Sequence, residues 1–145
     1  MAKTKTQRHR LVIKSDLNEV PVVEEFTEKL STTAQFSEAD RDSIAISVTE
    51  LVSNAISHGN KCSPDKKVTI EFEVNKEVFI VSVQDEGDGF KPEEVADPLA
   101  PENLLKDSGR GVYIVRTLMD ETEITVNETG TLVRITKRSQ TNPKI

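Results

Sequence analysis

The 145-residue chain contains no tryptophan, one tyrosine and one cysteine, and aromatic residues make up only 4% of it. So few rings leave no platform on which nucleic-acid bases could stack. The lone cysteine, Cys62, cannot close an internal disulfide and has no neighbours for a zinc site, which excludes disulfide scaffolds and zinc modules. No apolar run approaches the roughly 20 residues of a membrane span. No apolar stretch follows the basic N-terminal residues, so a secretory signal is not expected either, and the expected location is the cytoplasm. Positive charge is also scarce. Lys and Arg number 19 against 25 Asp and Glu, a net charge of −6, which is the wrong sign for a general nucleic-acid binder. The exception is a cluster of Lys3, Lys5, Arg8 and Arg10, read as a flexible, solvated tail over residues 1–10.

What remains is a length suited to one domain with a real core, expected over residues 11–138, followed by a loose tail at 139–145. Leu11 to Ile13 is a short strand candidate. A helix is expected from about Val20 to Leu30, with Pro21 in its first turn and Val22, Val23, Phe26 and Leu30 at helical spacing. A second helix starts near Ser37, whose spacing to Asp40 suits an N-terminal cap. Its apolar stripe is Ile44, Val48, Leu51, Val52 and Ala55, and Gly59 is its stop. Val68, Ile70, Phe72 and Val74 alternate with polar residues, as in a half-buried strand. After a turn at Asn75-Lys76, the run from Val78 to Val83 reads as a central strand.

Residues 91–108, with three prolines and many charges, read as an irregular loop of a length that is often functional. Gly109-Arg110-Gly111 opens a third helix with Val112, Val115, Leu118 and Met119 on its buried face. A closing hairpin turns at Asn127 to Gly130. Hairpins imply antiparallel pairing, and the helices need one face to cover. The expected fold is a two-layer α/β sandwich, a mostly antiparallel sheet covered on one face by helices.

Three segments could carry chemistry. Glu50, Asn54 and His58 are four apart on the second helix and lie in one row bordering the apolar stripe, with Ser47 near the same edge. Asp85-Glu86-Gly87-Asp88-Gly89 ends the central strand, where glycine lets backbone approach a ligand closely. Gly109-Arg110-Gly111 sits at a helix start, whose free N–H groups can hold phosphate. Each segment by itself also fits a bland reading: a solvated helix face, an acidic turn, a helix opening.

In order, however, the chain carries Glu50-Leu-Val-Ser-Asn54-Ala-Ile-Ser-His58, then Asp85-Glu-Gly87-Asp-Gly89, then Gly109-Arg-Gly111, then Gly130-Thr131. This resembles the nucleotide-binding boxes of the GHKL ATPase superfamily. The spacing and small size look most like the bacterial anti-sigma-factor serine kinases of the RsbW type. The resemblance implies the ATP-binding fold of that superfamily, with ATP and Mg²⁺ as cofactors. Asp85 would accept a hydrogen bond from the adenine exocyclic amine, while Gly87 and Gly89 would let base and sugar pack closely. Asn54 would supply an oxygen to Mg²⁺, Gly109, Arg110 and Gly111 would cradle the phosphates, and Thr131 would help from the last hairpin. Residues 91–108 would form the lid. Glu50 would be the catalytic base, taking a proton from a serine hydroxyl of a partner protein. Ser47 and His58 are further candidates on the same helix.

The same resemblance implies two protein partners, a sigma factor and an anti-sigma antagonist, and a homodimer, with no direct nucleic acid and no membrane. The chain departs from the best-known members at one point. They carry an arginine early in the first helix, where Val22, Val23, Glu24 and Glu25 stand here. Three other readings compete: an ATP-gated module that sequesters a partner with little phosphotransfer, a detached ATP-binding domain of a sensor histidine kinase, and a plain α/β domain without nucleotide. The histidine-kinase reading lacks support because His9 and His58, the only histidines, lie on no upstream helical hairpin.

Overall fold

The computed structural model describes residues 5–87 and 109–139. The expected loop at 91–108, Gly89, and both outermost termini lie outside the described residues. So does the side chain of Arg110, although the backbone of Gly109 and Arg110 opens a helix. The elements are β1 (Gln7–Lys14), a 3₁₀ turn (Leu17–Glu19), α1 (Val20–Thr33), α2 (Glu38–Asn54), a π-turn (Ala55–Gly59), β2 (Lys67–Val74), β3 (Val78–Gln84), α3 (Gly109–Leu118), β4 (Glu121–Asn127) and β5 (Gly130–Arg138). Among the described residues no helix is long and apolar enough to cross a membrane.

The strands form one sheet, ordered β1-β2-β3-β5-β4, with every neighbouring pair antiparallel. β3 is central, as its apolar run suggested. Register places Ile13 opposite Val68, Ile70 opposite Val83 and Val81 opposite Ile135. Period-two alternation therefore puts one apolar row from each strand on the same side. The helices cover that side: Ile44, Val48, Leu51 and Val52 of α2 and Val115 of α3 are buried with Val68, Ile70, Phe72, Phe79, Val81 and Ile135 in one core. The two-layer sandwich expected from the sequence is the fold observed.

Local chemistry accounts for the helix ends. Ser37 has extended backbone, and its Oγ accepts from the Asp40 N–H at 3.1 Å, so the expected cap forms. Pro21 sits in the first turn of α1, where its missing N–H costs nothing. Lys137 is buried and its Nζ donates to the Leu118 carbonyl at 2.8 Å, placing a cation at the C-terminus of α3.

Two expectations need correction. β1 begins at Gln7, earlier than Leu11, so part of the expected flexible tail is strand. Arg8 and Arg10 stand on the outer sheet face opposite acidic residues of β2, with Arg8 3.0 Å from Glu73 and Arg10 3.7 Å from Glu71. A strand partner supplies the order that a basic terminus lacks by itself. Val22 is not part of the buried stripe of α1; it is 52% exposed, and the buried face is Val20, Val23, Thr27, Leu30 and Ser31. Thr27 can be inside because its Oγ1 donates to the Val23 carbonyl, which satisfies the hydroxyl without an apolar penalty.

Candidate nucleotide site

The apolar stripe anchors α2 on the sheet, and that sets the height of its polar row. Glu50 and Asn54 are partly buried at the top of the helix. Just beyond them the helix widens. The Asn60 N–H reaches back to the Ala55 carbonyl at 2.8 Å and the Cys62 N–H to Ile56 at 2.7 Å, longer spans than an α-turn. Such π-turns cluster at functional sites. This one leaves His58 exposed and carries Gly59 beneath the end of β3.

There Gly59 meets Asp85. A Cβ on Gly59 would lie 2.1 Å from Asp85 Oδ2 and 2.5 Å from its Cγ, closer than any real contact, so only glycine fits. Asp85 is 6% exposed. Its Oδ1 accepts from the Thr131 N–H at 2.9 Å and the Gly87 N–H at 3.0 Å, and its own N–H donates to the Thr131 carbonyl at 3.0 Å. Gly130, at φ +149°, presses from the other side: a Cβ there would lie 2.3 Å from the Asp85 carbonyl oxygen. One carboxylate oxygen is thus held by two backbone donors. The other, Oδ2, packs closely against Gly59 and has no hydrogen-bond partner among the described residues.

Glu50 stands at the start of α3. A Cβ on Gly111 would lie 2.0 Å from Glu50 Oε2, so Gly111 is what lets the helix opening come down onto the carboxylate. Negative charge is favoured there by the positive end of the helix dipole. Asn54 Nδ2 is buried with no hydrogen-bond partner among the described residues. A buried amide left unsatisfied costs about 1–3 kcal/mol, so this side chain suits a bound polar group. The unpaired N–H₂ calls for an acceptor such as a phosphate oxygen, and the Oδ1 of the same amide is the hard oxygen that Mg²⁺ would take beside phosphates and waters. Among the described residues no group of three or more His, Cys, Asp or Glu could hold a metal by itself.

Of the expected site residues, the fold therefore brings Asp85, Gly87 and Thr131 into one nest, and Glu50 and Gly111 into another. Ser47 is not at the helix edge: it is fully buried, and its Oγ has no partner among the described residues. Residue spacing marks Gly59 only as a helix stop and gives Asn60 no role. Gly59 was detectable as the residue directly after the Glu50-to-His58 box. Nothing in local pattern marked Asn60.

The family model of the histidine kinase-like ATPase domain matches residues 13–137. The chain belongs to that family of ATP-binding domains. Its relatives within it include serine-protein kinases RsbW and anti-sigma F factors. It is 31% identical to the serine-protein kinase RsbW of Bacillus licheniformis, over 70% of this chain and 67% of that protein. It is 35% identical to the anti-sigma F factor of Clostridium perfringens, over 68% of this chain and 72% of that one. A structure of the RsbU and RsbW domains of a Mycobacterium tuberculosis protein superposes with a TM-score of 0.68 at 17% identity, over 92% of this chain and 32% of that one, a likeness of fold.

Proposed function

We propose that this chain is an ATP-dependent anti-sigma factor and protein serine kinase, which binds a sigma factor and phosphorylates a serine of an anti-sigma antagonist. The observation that carries the reading is the nest around Asp85, where two backbone N–H groups hold one carboxylate oxygen and the other, against Gly59, has no hydrogen-bond partner among the described residues. An acceptor fixed in that way selects adenine, because the exocyclic amine donates, whereas guanine places a carbonyl oxygen at the same edge. Gly87 and Thr131 brace Asp85 through their N–H groups, and the backbone of Gly109, Arg110 and Gly111 receives the phosphates at the start of α3.

Asn54 is the candidate ligand for Mg²⁺, whose charge would neutralise the triphosphate. Glu50 is the candidate base. The partner's serine oxygen forms a bond to the γ-phosphorus and the bond to the β-phosphate oxygen breaks. The serine proton passes to the Glu50 carboxylate, and ADP leaves. The antagonist as substrate and a homodimer as the working form belong to the same reading, on the strength of the family resemblance.

Glu50→Gln tests it. The amide keeps the size and removes the base, so labelling of the partner protein from γ-labelled ATP should fall by at least about 100-fold, while ATP affinity stays within about twofold. Labelling that persists at the wild-type rate overturns the role of Glu50. A wild-type protein that holds its sigma partner in an ATP-dependent way yet labels nothing would instead establish the sequestering module.

A further inference from the structure

Asn60 is 1% exposed, lies directly after the π-turn, and ties three separate strands together. Its Oδ1 accepts from the Glu86 N–H at 2.7 Å. Its Nδ2 donates to the Lys67 carbonyl at 2.9 Å, at the start of β2, and to Ser15 Oγ at 2.8 Å, just past β1. Ser15 Oγ in turn donates to the Lys66 carbonyl at 2.7 Å. Both Nδ2 protons are used. The orientation of the amide is dictated by chemistry: exchanging its ends would point N–H at N–H and carbonyl at carbonyl. Glu86 is held a second time, because its Oε1 accepts from the Lys67 N–H at 2.8 Å.

Glu86 follows Asp85, so whatever holds the Glu86 amide holds the strand end that aims Asp85. The backbone beyond Asn60 turns through two left-handed residues, Lys61 at φ +53° and Cys62 at φ +56°. A non-glycine residue adopts that conformation only when its surroundings impose it, and the three-way bonding of Asn60 is such a constraint. Asn60 therefore fixes the distance between the π-turn, which carries Gly59, and the strand end, which carries Asp85. Those are the two sides of the close contact between Gly59 and Oδ2.

We propose that Asn60 is a positioning residue for purine recognition: through the Glu86 amide it holds Asp85 at the register against Gly59 in which the free carboxylate oxygen meets the amino edge of adenine. This rests on the nucleotide reading above and adds to it a residue that touches no ligand. Losing the carboxamide leaves the Glu86 N–H and the Lys67 carbonyl unsatisfied, and Asp85 free to drift.

The test is a calorimetric titration of the full chain with MgATP and MgITP, since hypoxanthine carries an oxygen where adenine carries its amine. A residue that merely stabilises the fold would weaken both nucleotides equally and leave their affinity ratio unchanged. Asn60→Ala should lower the ATP-to-ITP ratio about tenfold, and Asp85→Asn should lower it at least as far, with no further loss in the double variant. If Asp85→Asn collapses the ratio while folded Asn60→Ala leaves it at the wild-type value, the role of Asn60 is overturned and the nucleotide reading stands. If Asp85→Asn itself leaves the ratio unchanged, the purine reading falls, and this proposal with it. Should Asn60→Ala fail to fold, Ser15→Ala, which loosens the amide without removing it, should lower the ratio about twofold to threefold; an unchanged ratio in that variant overturns the proposal.

Discussion

Single atoms decide most at the glycines. Gly59, Gly87 and Gly130 enclose one aspartate, and the space each leaves is smaller than a methyl group. Gly59→Ala should therefore lower ATP affinity at least about tenfold, because Asp85 is short and held by two N–H groups and cannot swing aside without losing about 1 kcal/mol for each. Titration of a fluorescent ATP analogue measures the loss, and unaltered binding would show that Asp85 does not face the base. Gly111→Ala should behave differently. Its Cβ would strike the far end of the Glu50 side chain, which can rotate away cheaply. ATP binding should persist within about threefold, while transfer to the partner falls at least about tenfold as the carboxylate leaves its position. Equal losses of binding and transfer would contradict separate roles for the two nests. Both aspartate and glutamate are legible in the sequence as parts of ordered boxes. Which glycine faces which acid is not, because no pattern along the chain encodes a contact between α2 and α3.

Among the elements, α2 carries the most. One face bears the core stripe, its border bears Glu50 and Asn54, its start is capped by Ser37, and its end widens into the π-turn. Ser37→Ala should cost about 1 kcal/mol of stability, the usual worth of such a cap, read from the midpoint of urea unfolding at constant slope. No change would mean that the Asp40 N–H finds another acceptor. The cap, the stripe and the helix type follow from residue spacing, and the sequence predicts all three. The π-turn does not follow. An ordinary helix through His58 would have kept His58 in line with Glu50 and Asn54, which is what the four-residue spacing suggested. The extra residue per turn moves His58 outward and Gly59 inward instead, and the reason for it is tertiary: Gly59 must fit under Asp85, and Asn60 must reach three strands.

For the molecule as a whole, cohesion lies in the layer between helices and sheet. A chain of edge-to-face rings crosses it, from Phe26 of α1 to Phe72 of β2, 5.4 Å between centroids, then Phe79 of β3 at 6.2 Å and Phe36 before α2 at 5.8 Å. Phe72 touches both layers and is 1% exposed. Phe72→Ala should cost about 3–5 kcal/mol, a large fraction of the stability of a domain this size, again read from urea unfolding. A loss under about 1 kcal/mol would show that the layer collapses to fill the gap. The outer sheet face contributes far less. Its ion pairs, Arg8 and Arg134 to Glu73, Arg10 to Glu71 and Arg134 to Glu123, are solvent-exposed and worth about 0–1 kcal/mol each. What turns the basic terminus into an edge strand is its backbone pairing with β2 over Gln7 to Lys14, not these pairs.

The residue order alone determined the element types, the central place of the apolar strand, the helix cap and the sequence of boxes that marks an ATP-binding domain. All of these depend on local spacing, where a period of two or of three to four residues reports which side must leave water. Only the tertiary structure decided that β5 enters between β3 and β4, that Thr131 braces an aspartate 46 positions away, and that Asn60 grips the backbone of Glu86 across 26 positions. Those contacts depend on strand register and on one widened helical turn. Their energy comes from buried polar groups finding partners, a condition that chain neighbours neither satisfy nor reveal.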